Sequence, residues 1–204
     1  MKMKRVGVLV SGRGSNLQAL IDAQCAGTLG GAIAVVVSNV AGVPGLDRAR
    51  AAAIPALCCP HEGRTREDHD RALVAVLREH DMDLVCLAGY MRVLSPMFLE
   101  AFPGRILNVH PSLLPAFPGR DAQRQAWEHG VKVSGATVHL VEAALDRGPI
   151  LVQEAVPVGE DDTVEQLSAR ILEAEHRIYP RAVRIVLEGR YERDGRRVRV
   201  SAGA

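Results

Sequence analysis

The stretch "VGVLVSGRGSNLQAL", residues 6–20, carries three local signals in direct succession. Residues 6–12 are mostly apolar and rich in valine, which is typical of a buried strand. Gly12 and Gly14 then mark a turn, and the apolar spacing that follows predicts a helix over residues 15–27. A strand, a glycine-rich turn and a helix in this order indicate a βα unit.

The same alternation continues along the chain. Further strands are predicted at residues 32–39, 54–59, 83–90 and 105–110, and helices at residues 44–53 and 65–80. Apolar strands that alternate with helices favour a parallel sheet covered on both faces. Two later strands, at 133–141 and 149–158, leave no room for a helix between them, so we expect an antiparallel pair. The predicted fold class is therefore α/β, an open, mostly parallel, twisted sheet of about seven strands with an antiparallel strand near the end and helices on both faces.

The last third of the chain predicts a long helix and a short hairpin. The helix is expected from about Val164, with a capping box formed by Thr163 and Gln166. Pro180 is expected to kink or break this helix, because proline lacks the backbone N–H. Residues 190–204 carry a run of charged residues around an Asp-Gly pair, which indicates a solvated hairpin or tail.

The amino-acid composition restricts the kinds of molecule that the protein is expected to bind. The 204 residues include 25 basic and 24 acidic side chains, a net charge of +1, which gives no electrostatic reason to expect nucleic acid or an acidic membrane. No apolar run approaches the roughly 18 residues of a membrane span, and no signal peptide is recognisable. The four cysteines form no CxxC pair, which predicts reduced, buried thiols in a cytoplasmic protein. We expect a monomer or homodimer that acts on small molecules.

The end of the first predicted strand has the features of a phosphate site. In open α/β sheets ligands bind beyond the carboxyl ends of the strands, and a helix N-terminus offers free N–H groups to an anion. A dinucleotide site would need a small residue in place of Leu17 and an acid in place of residues 38–39. A phosphomonoester is therefore favoured, with a plain glycine turn as the alternative. The residues of this cradle are Gly12, Gly14, Ser15 and Asn16.

The stretch "ILNVHPSLLPAFPG", residues 106–119, places two polar side chains at the end of another strand. Asn108 and His110 are two positions apart, so they point to the same side of the strand. An amide and an imidazole that converge on one oxygen can stabilise an oxyanion, although a core Asn–His pair is the alternative. No serine, cysteine or lysine nucleophile stands beside them, which favours direct transfer between two substrates.

Two further observations concern side chains that could join this pair. Asp146 lies between the last two predicted strands, where it could orient His110, although an Asp before Arg-Gly-Pro is commonly a turn former. His139 is either a core histidine or a wall of the site. None of the seven histidines pairs at HxH or HxxxH spacing, so no metal site is predicted.

Five blocks that occur in order across the chain resemble one known family. They are "SGRGSNLQALIDA", "LAGYMRVLSPMFL", "LNVHPSLLPAFPG", "GATVHLVEAALDRGPI" and "EAEHRIYP". Together they resemble the folate-dependent phosphoribosylglycinamide formyltransferase family. The resemblance implies transfer of a formyl group from 10-formyltetrahydrofolate, as co-substrate, to the amine of glycinamide ribonucleotide in de novo purine biosynthesis. It implies no metal.

The resemblance also implies roles for particular residues. The catalytic group would be Asn108, His110 and Asp146. The ribonucleotide would contact Gly14, Ser15, Asn16 and Glu175. The folate would contact Arg66, Met91, Arg92, Val93, Leu94 and Asn108.

The resemblance further implies one formyltransferase domain over residues 1–204. Its phosphate-binding half would span about 1–100, its catalytic and folate half about 101–190, and a hairpin or tail about 190–204. Two alternatives remain for a chain of this kind, a formyltetrahydrofolate hydrolase (deformylase) and a non-catalytic nucleotide-binding module. A methionyl-tRNA formyltransferase is disfavoured by the balanced charge.

Overall fold

The computed structural model describes residues 3–201. In chain order its elements are β1 Arg5–Val10, α1 Ser15–Cys25, β2 Ala32–Ser38, α2 Pro44–Ala51, β3 Ala56–Cys58, α3 Arg66–Glu79, β4 Leu84–Leu87, α4 Pro96–Ala101, β5 Ile106–His110, α5 Ala122–His129, β6 Val133–Leu140, β7 Ile150–Pro157, α6 Val164–Leu187, β8 Tyr191–Asp194 and β9 Arg197–Val200.

The first seven strands form one sheet in the order β3-β2-β1-β4-β5-β6-β7. Strands β1 to β5 pair in parallel, whereas β6 is antiparallel to both β5 and β7. The predicted fold class is therefore confirmed. The strand order reverses at β1, which has β2 on one side and β4 on the other. Such a reversal opens a crevice at the carboxyl ends of the strands, where ligands of α/β sheets bind.

Helices cover both faces of the sheet because the strand side chains alternate between two apolar layers. On β1, Val8 and Val10 pack in one layer with residues of α1, α2 and α6, and Leu9 packs in the other. The second layer includes Leu73 of α3 and Phe98 of α4. All of these side chains are fully buried, so both faces contribute to the hydrophobic stabilisation of the sheet.

Helix α6 begins as predicted but does not break. The side chain of Thr163 accepts a hydrogen bond from the N–H of Gln166, whose own side chain bonds the N–H of Thr163. The helix continues through Pro180 to Leu187, so the expectation of a break was wrong. Residues on both sides of the proline, including Tyr179 and Val183, are fully buried. Their packing offsets the lost backbone hydrogen bond.

Two further features differ from the predictions, and a third agrees with them. The short helices α4 and α5 were not predicted, since neither is long enough to show a clear apolar period. Cys25 ends α1 and Cys58 lies on the edge strand β3, and both are exposed, so the expectation of buried thiols holds only for Cys59 and Cys86. The predicted hairpin is confirmed as β8 and β9.

Candidate active site

The pairing of β5 with β6 brings polar side chains together at one end of the sheet. Asn108 and His110 lie at the carboxyl end of β5, as the sequence predicts. Because β6 runs antiparallel beside it, His139 lies directly opposite Asn108, and Thr137 opposite His110. The site is thus built on two central strands, which hold its backbone rigidly.

Both ring nitrogens of His110 face oxygen atoms. The Nδ1 atom is 3.5 Å from Oδ2 of Asp146, and the ring is almost fully buried. The Nε2 atom is 2.9 Å from the carbonyl oxygen of Phe117, to which it donates a hydrogen bond. A doubly protonated imidazole can donate on both sides, one side to the carboxylate and the other to a carbonyl oxygen.

Asp146 reaches this site from the loop between β6 and β7. Its Oδ2 atom accepts a hydrogen bond of 2.8 Å from the backbone N–H of Gly119, and its Oδ1 atom is 3.7 Å from Nε2 of His139. Burial by itself raises the pKa of Asp146, but the interactions with His139, Gly119 and His110 outweigh it and lower that pKa. The carboxyl group is therefore held in its ionised form. Its backbone has a φ of 51°, a conformation that a non-glycine residue adopts at a cost.

His139 is the residue whose role the sequence left undecided. It is buried, and its Nδ1 atom donates to the carbonyl of Leu140 over 2.9 Å, which fixes the proton on that nitrogen. Its Nε2 atom then faces the site, 3.3 Å from Nδ2 of Asn108. Knowledge of the β5–β6 register would have revealed this placement, because the register sets His139 against Asn108.

A cleft of about 690 Å³ opens beside these four side chains. The loop after β4 forms one wall and the Asp146 loop another. Met91 and Val93 stand out from the first wall, 65% and 51% exposed, an arrangement that suits a flat, partly apolar ligand. Asn108, His110 and Asp146 line this cleft. Four further predicted folate contacts line it as well: Met91, Arg92, Val93 and Leu94.

Two hydrogen bonds hold the loop after β4 against the end of β1. The N–H of Met91 donates to Oγ of Ser11 over 2.9 Å, and the N–H of Ser11 donates to the carbonyl of Gly89 over 3.2 Å. At its other end, the N–H of Ser95 donates to Oδ2 of the fully buried Asp70 over 2.6 Å. The cleft wall is therefore joined directly to the glycine turn that follows β1.

That turn has the geometry of an anion cradle. Gly14 has a φ of +71°, and a Cβ atom there would lie 2.7 Å from the Cα atom of Gly45. Helix α1 then begins at Ser15 with no side-chain cap, so the N–H groups of its first turn have no acceptor within the helix. Among residues 3–201, a Cβ atom on Gly12 would meet nothing within 4 Å beyond its chain neighbours. The turn neighbours the cleft, but it does not form part of its lining.

Two of the predicted ribonucleotide contacts touch each other. The Nδ2 atom of Asn16 donates to Oε2 of Glu175 over 2.6 Å, although the residues are 159 positions apart. Burial raises the pKa of Glu175 to about 7, and the hydrogen bond from Asn16 only partly opposes this. The Oδ1 atom of Asn16 has no hydrogen-bond partner among residues 3–201.

Arg66 is the predicted site residue that lies apart. It is the exposed first residue of α3, and it does not line the cleft. Its role in folate binding stays a prediction.

The described part of the chain offers neither a metal centre nor a membrane-spanning helix. Within residues 3–201 no group of three or more His, Cys, Asp or Glu side chains is placed to hold a metal ion. Over the same span, no helix has the length and apolar character needed to cross a membrane.

The fold, the strand-end site and the sequence together define a class of enzyme. Residues 4–183 match the formyl transferase family, and the chain belongs to that family. More particularly, the chain is 44% identical over 184 residues to a phosphoribosylglycinamide formyltransferase of Escherichia coli (strain K12), covering 90% of this chain and 87% of that protein. The fold is also that of glycinamide ribonucleotide transformylase 1 from Symbiobacterium toebii, with a TM-score of 0.96 and 56% identity over 98% of this chain and 94% of that one.

Two other relatives differ in length or in name. The trifunctional purine biosynthetic protein adenosine-3 of Homo sapiens is 49% identical over 92% of this chain, but the chain spans only 19% of that protein. A formyltetrahydrofolate deformylase from Pseudomonas syringae pv. tomato shares the fold with a TM-score of 0.91, but its sequence identity to this chain is 30%. The match covers 98% of this chain and 66% of that one. The resemblance seen in the five sequence blocks is thus confirmed.

Proposed function

We propose that the protein transfers a formyl group from 10-formyltetrahydrofolate to the amine of glycinamide ribonucleotide, a step of purine biosynthesis. The observation that carries the proposal is the meeting of Asn108, His110 and Asp146 beside a cleft of about 690 Å³ in a chain of the formyl transferase family. The names of the Escherichia coli and Symbiobacterium relatives support this choice of acceptor.

In the proposed reaction, the substrate amine attacks the formyl carbon directly. The formyl carbon becomes tetrahedral as the π electrons of its C=O bond move to the oxygen, and the amide of Asn108 and a ring N–H of His110 stabilise the resulting oxyanion. The bond from that carbon to the folate nitrogen then breaks, and the proton lost by the amine reaches that nitrogen through water. Asp146 keeps its charge because its pKa is lowered, and it stabilises the imidazolium form of His110.

The hydrogen bond between His110 and Phe117 must break before His110 can stabilise the oxyanion. The Nε2–H group of His110 donates to the carbonyl of Phe117, so it must exchange that partner for the substrate oxygen. Phe117 has a φ of 51°, and it lies in the proline-rich loop that follows β5. We propose that a bound formyl group takes the place of this backbone carbonyl. His139 and the carboxylate of Asp146 stay in position during the exchange.

The two substrates would occupy adjoining places. The pterin of the folate would lie in the cleft against Met91, Arg92, Val93 and Leu94, with Arg66 as a more distant contact. The phosphate of the ribonucleotide would bind Gly14, Ser15 and Asn16 at the N-terminus of α1, where free N–H groups and the helix dipole favour an anion. Glu175, joined to Asn16, would accept hydrogen bonds from the ribose.

The proposal extends to the protein as a whole. The chain would form one formyltransferase domain, act as a monomer or homodimer in the cytoplasm, and bind small molecules without nucleic acid. The net charge of +1 supports this choice of partners.

One assay separates this function from its alternatives. Purified protein is mixed with 10-formyltetrahydrofolate, with and without glycinamide ribonucleotide, and the release of tetrahydrofolate is followed. We expect release that depends on the ribonucleotide. Release without it would indicate the deformylase, and no release in either mixture would favour a binding module. The 30% identity to a deformylase makes the control without ribonucleotide necessary.

A further inference from the structure

The C-terminal hairpin, β8 and β9, contacts the loop that carries Asp146. The Nη2 atom of Arg193 is 2.5 Å from Oε1 of Glu142, and the Nη1 atom of Arg196 donates to the carbonyl of Arg147 over 2.5 Å. Glu142 precedes Asp146 by four residues, and Arg147 follows it directly. The two contacts therefore hold the loop on both sides of the carboxylate.

One face of the hairpin packs on the core and carries the first of these arginines. The cross-strand pairs are Tyr191 with Val200 and Arg193 with Val198, which places all four side chains on the same face. The three apolar members of this face pack against the main core cluster. Since that packing fixes the strands, it also fixes the position from which Arg193 reaches the loop.

The guanidinium of Arg193 is oriented before it reaches the loop. Its Nε atom donates to the carbonyl of Gly195, in the turn of the hairpin, over 2.8 Å. Its other end is then free to meet Glu142. An arginine held at one end loses less side-chain entropy on pairing than a freely rotating one.

The loop between β6 and β7 needs contacts from the hairpin because its backbone is strained at Asp146. Asp146 has a φ of 51°, a conformation that persists only where its surroundings hold it. Inside the site it is held by the N–H of Gly119 and by the neighbouring histidines. On the outer side, the hairpin arginines supply the contacts described above.

We propose that Arg193 and Arg196 are positioning residues that keep the Asp146 loop in its active conformation. The family match covers residues 4–183, so the hairpin lies outside the matched stretch. The expected effect on turnover rests on the proposed function, because the position of Asp146 changes the rate only if Asp146 takes part in that reaction. The effect on loop order does not depend on that function.

The test compares the double variant Arg193→Ala/Arg196→Ala with a matched control, Arg197→Ala/Arg199→Ala. The control removes the same charge from the same hairpin. Arg197 and Arg199 are exposed strand residues, and their cross-strand pairing places them on the face opposite Arg193. We expect the first variant to lower kcat about 5- to 20-fold with little change in the KM for ribonucleotide, since both contacts are partly exposed. The control should stay within about 2-fold of wild type.

A second pair of variants tests the Arg193–Glu142 contact itself. Arg193→Glu and Glu142→Arg should each lower kcat, and the combined charge reversal should restore at least half of the loss. A change that only weakened the fold would lower the melting temperature and would not be rescued in this way. Equal effects of the hairpin variant and its control, or a charge reversal without rescue, would overturn the proposal.

Hydrogen exchange gives a readout that needs no substrate. The N–H of Gly119 donates to Asp146, so its exchange reports whether the carboxylate is in place. It should exchange at least about 5-fold faster in the Arg193→Ala/Arg196→Ala protein than in the control. Unchanged exchange would overturn the inference. Failure of the proposed function would be seen separately, as wild-type protein without ribonucleotide-dependent turnover.

Discussion

His139 lies directly opposite Asn108 across the β5–β6 pair, with its Nε2 atom 3.3 Å from Nδ2 of Asn108. The same nitrogen is 3.7 Å from Oδ1 of Asp146, so this ring stands between the amide and the carboxylate. We predict that His139→Gln lowers kcat about 10- to 100-fold, less than the loss of a direct donor to the oxyanion. Steady-state kinetics would check this. His80→Ala, at the far end of α3, is the matched control, and equal activity of both variants would contradict the prediction.

Asp146 should matter for catalysis at every pH at which its carboxyl group is ionised. Its pKa is lowered, so its ionised form stabilises the native state above the ordinary pKa of 3.8, and this stabilisation is lost as pH falls through the native value. Asp146→Asn should therefore melt lower than wild type near neutral pH, and the difference should shrink below about pH 4. Its kcat should fall about 100- to 10,000-fold. A variant that keeps kcat within 10-fold would exclude an orienting role.

The raised pKa of Glu175 predicts that its contribution to stability changes with pH in the opposite direction to that of Asp146. Its pKa is raised from 4.5 to about 7, so the stability that the protonated side chain contributes is fully present below pH 4.5 and is lost as pH rises through 7. At pH 8 the buried charge of Glu175 lowers the free energy of unfolding by about 3 kcal/mol, at 1.36 kcal/mol for each pKa unit. Glu175→Gln should therefore be more stable than wild type at pH 8 and closer to it at pH 5, as measured by denaturant unfolding. It should also raise the KM for ribonucleotide. A stability difference that does not change with pH would contradict this account.

The glycine turn after β1 allows a paired test of structure and binding. Gly14→Ala should cost about 1–3 kcal/mol, because φ is +71° and the added Cβ would meet the backbone of Gly45. Gly12→Ala should leave stability unchanged, since in the described part of the chain nothing beyond its sequence neighbours lies within 4 Å of its Cβ position. If the open space at Gly12 receives the phosphate, the same variant should still raise the KM for ribonucleotide at least several-fold. An unchanged KM would place the phosphate elsewhere.

Local pattern was sufficient to predict most of the fold. Strands such as β1 and β2 are apolar on both faces, and glycines separate them from their helices, so their positions follow from periodicity alone. Pro180 shows where this reasoning fails. A proline disfavours a helix locally, but the buried residues around it in α6 are fixed by contacts with strands distant in sequence.

The site was predictable only in part, for the same reason. Asn108 and His110 share one strand, so their common direction follows from the sequence. The placement of His139 depends on the register between β5 and β6, and the contact of Asn16 with Glu175 joins residues 159 positions apart. Neither relationship has a local signal. The hydrogen bond from His110 to Phe117 likewise depends on the path of the loop that follows β5.

In the proposed reaction, His110 is the residue that contacts both the oxyanion and Asp146. The most direct test is the kcat/KM of His110→Ala in the ribonucleotide-dependent assay, with the melting temperature as a check that the fold is kept. We predict a loss of at least about 100-fold in a protein that still melts cooperatively. A folded His110→Ala protein with near-normal turnover would contradict the account.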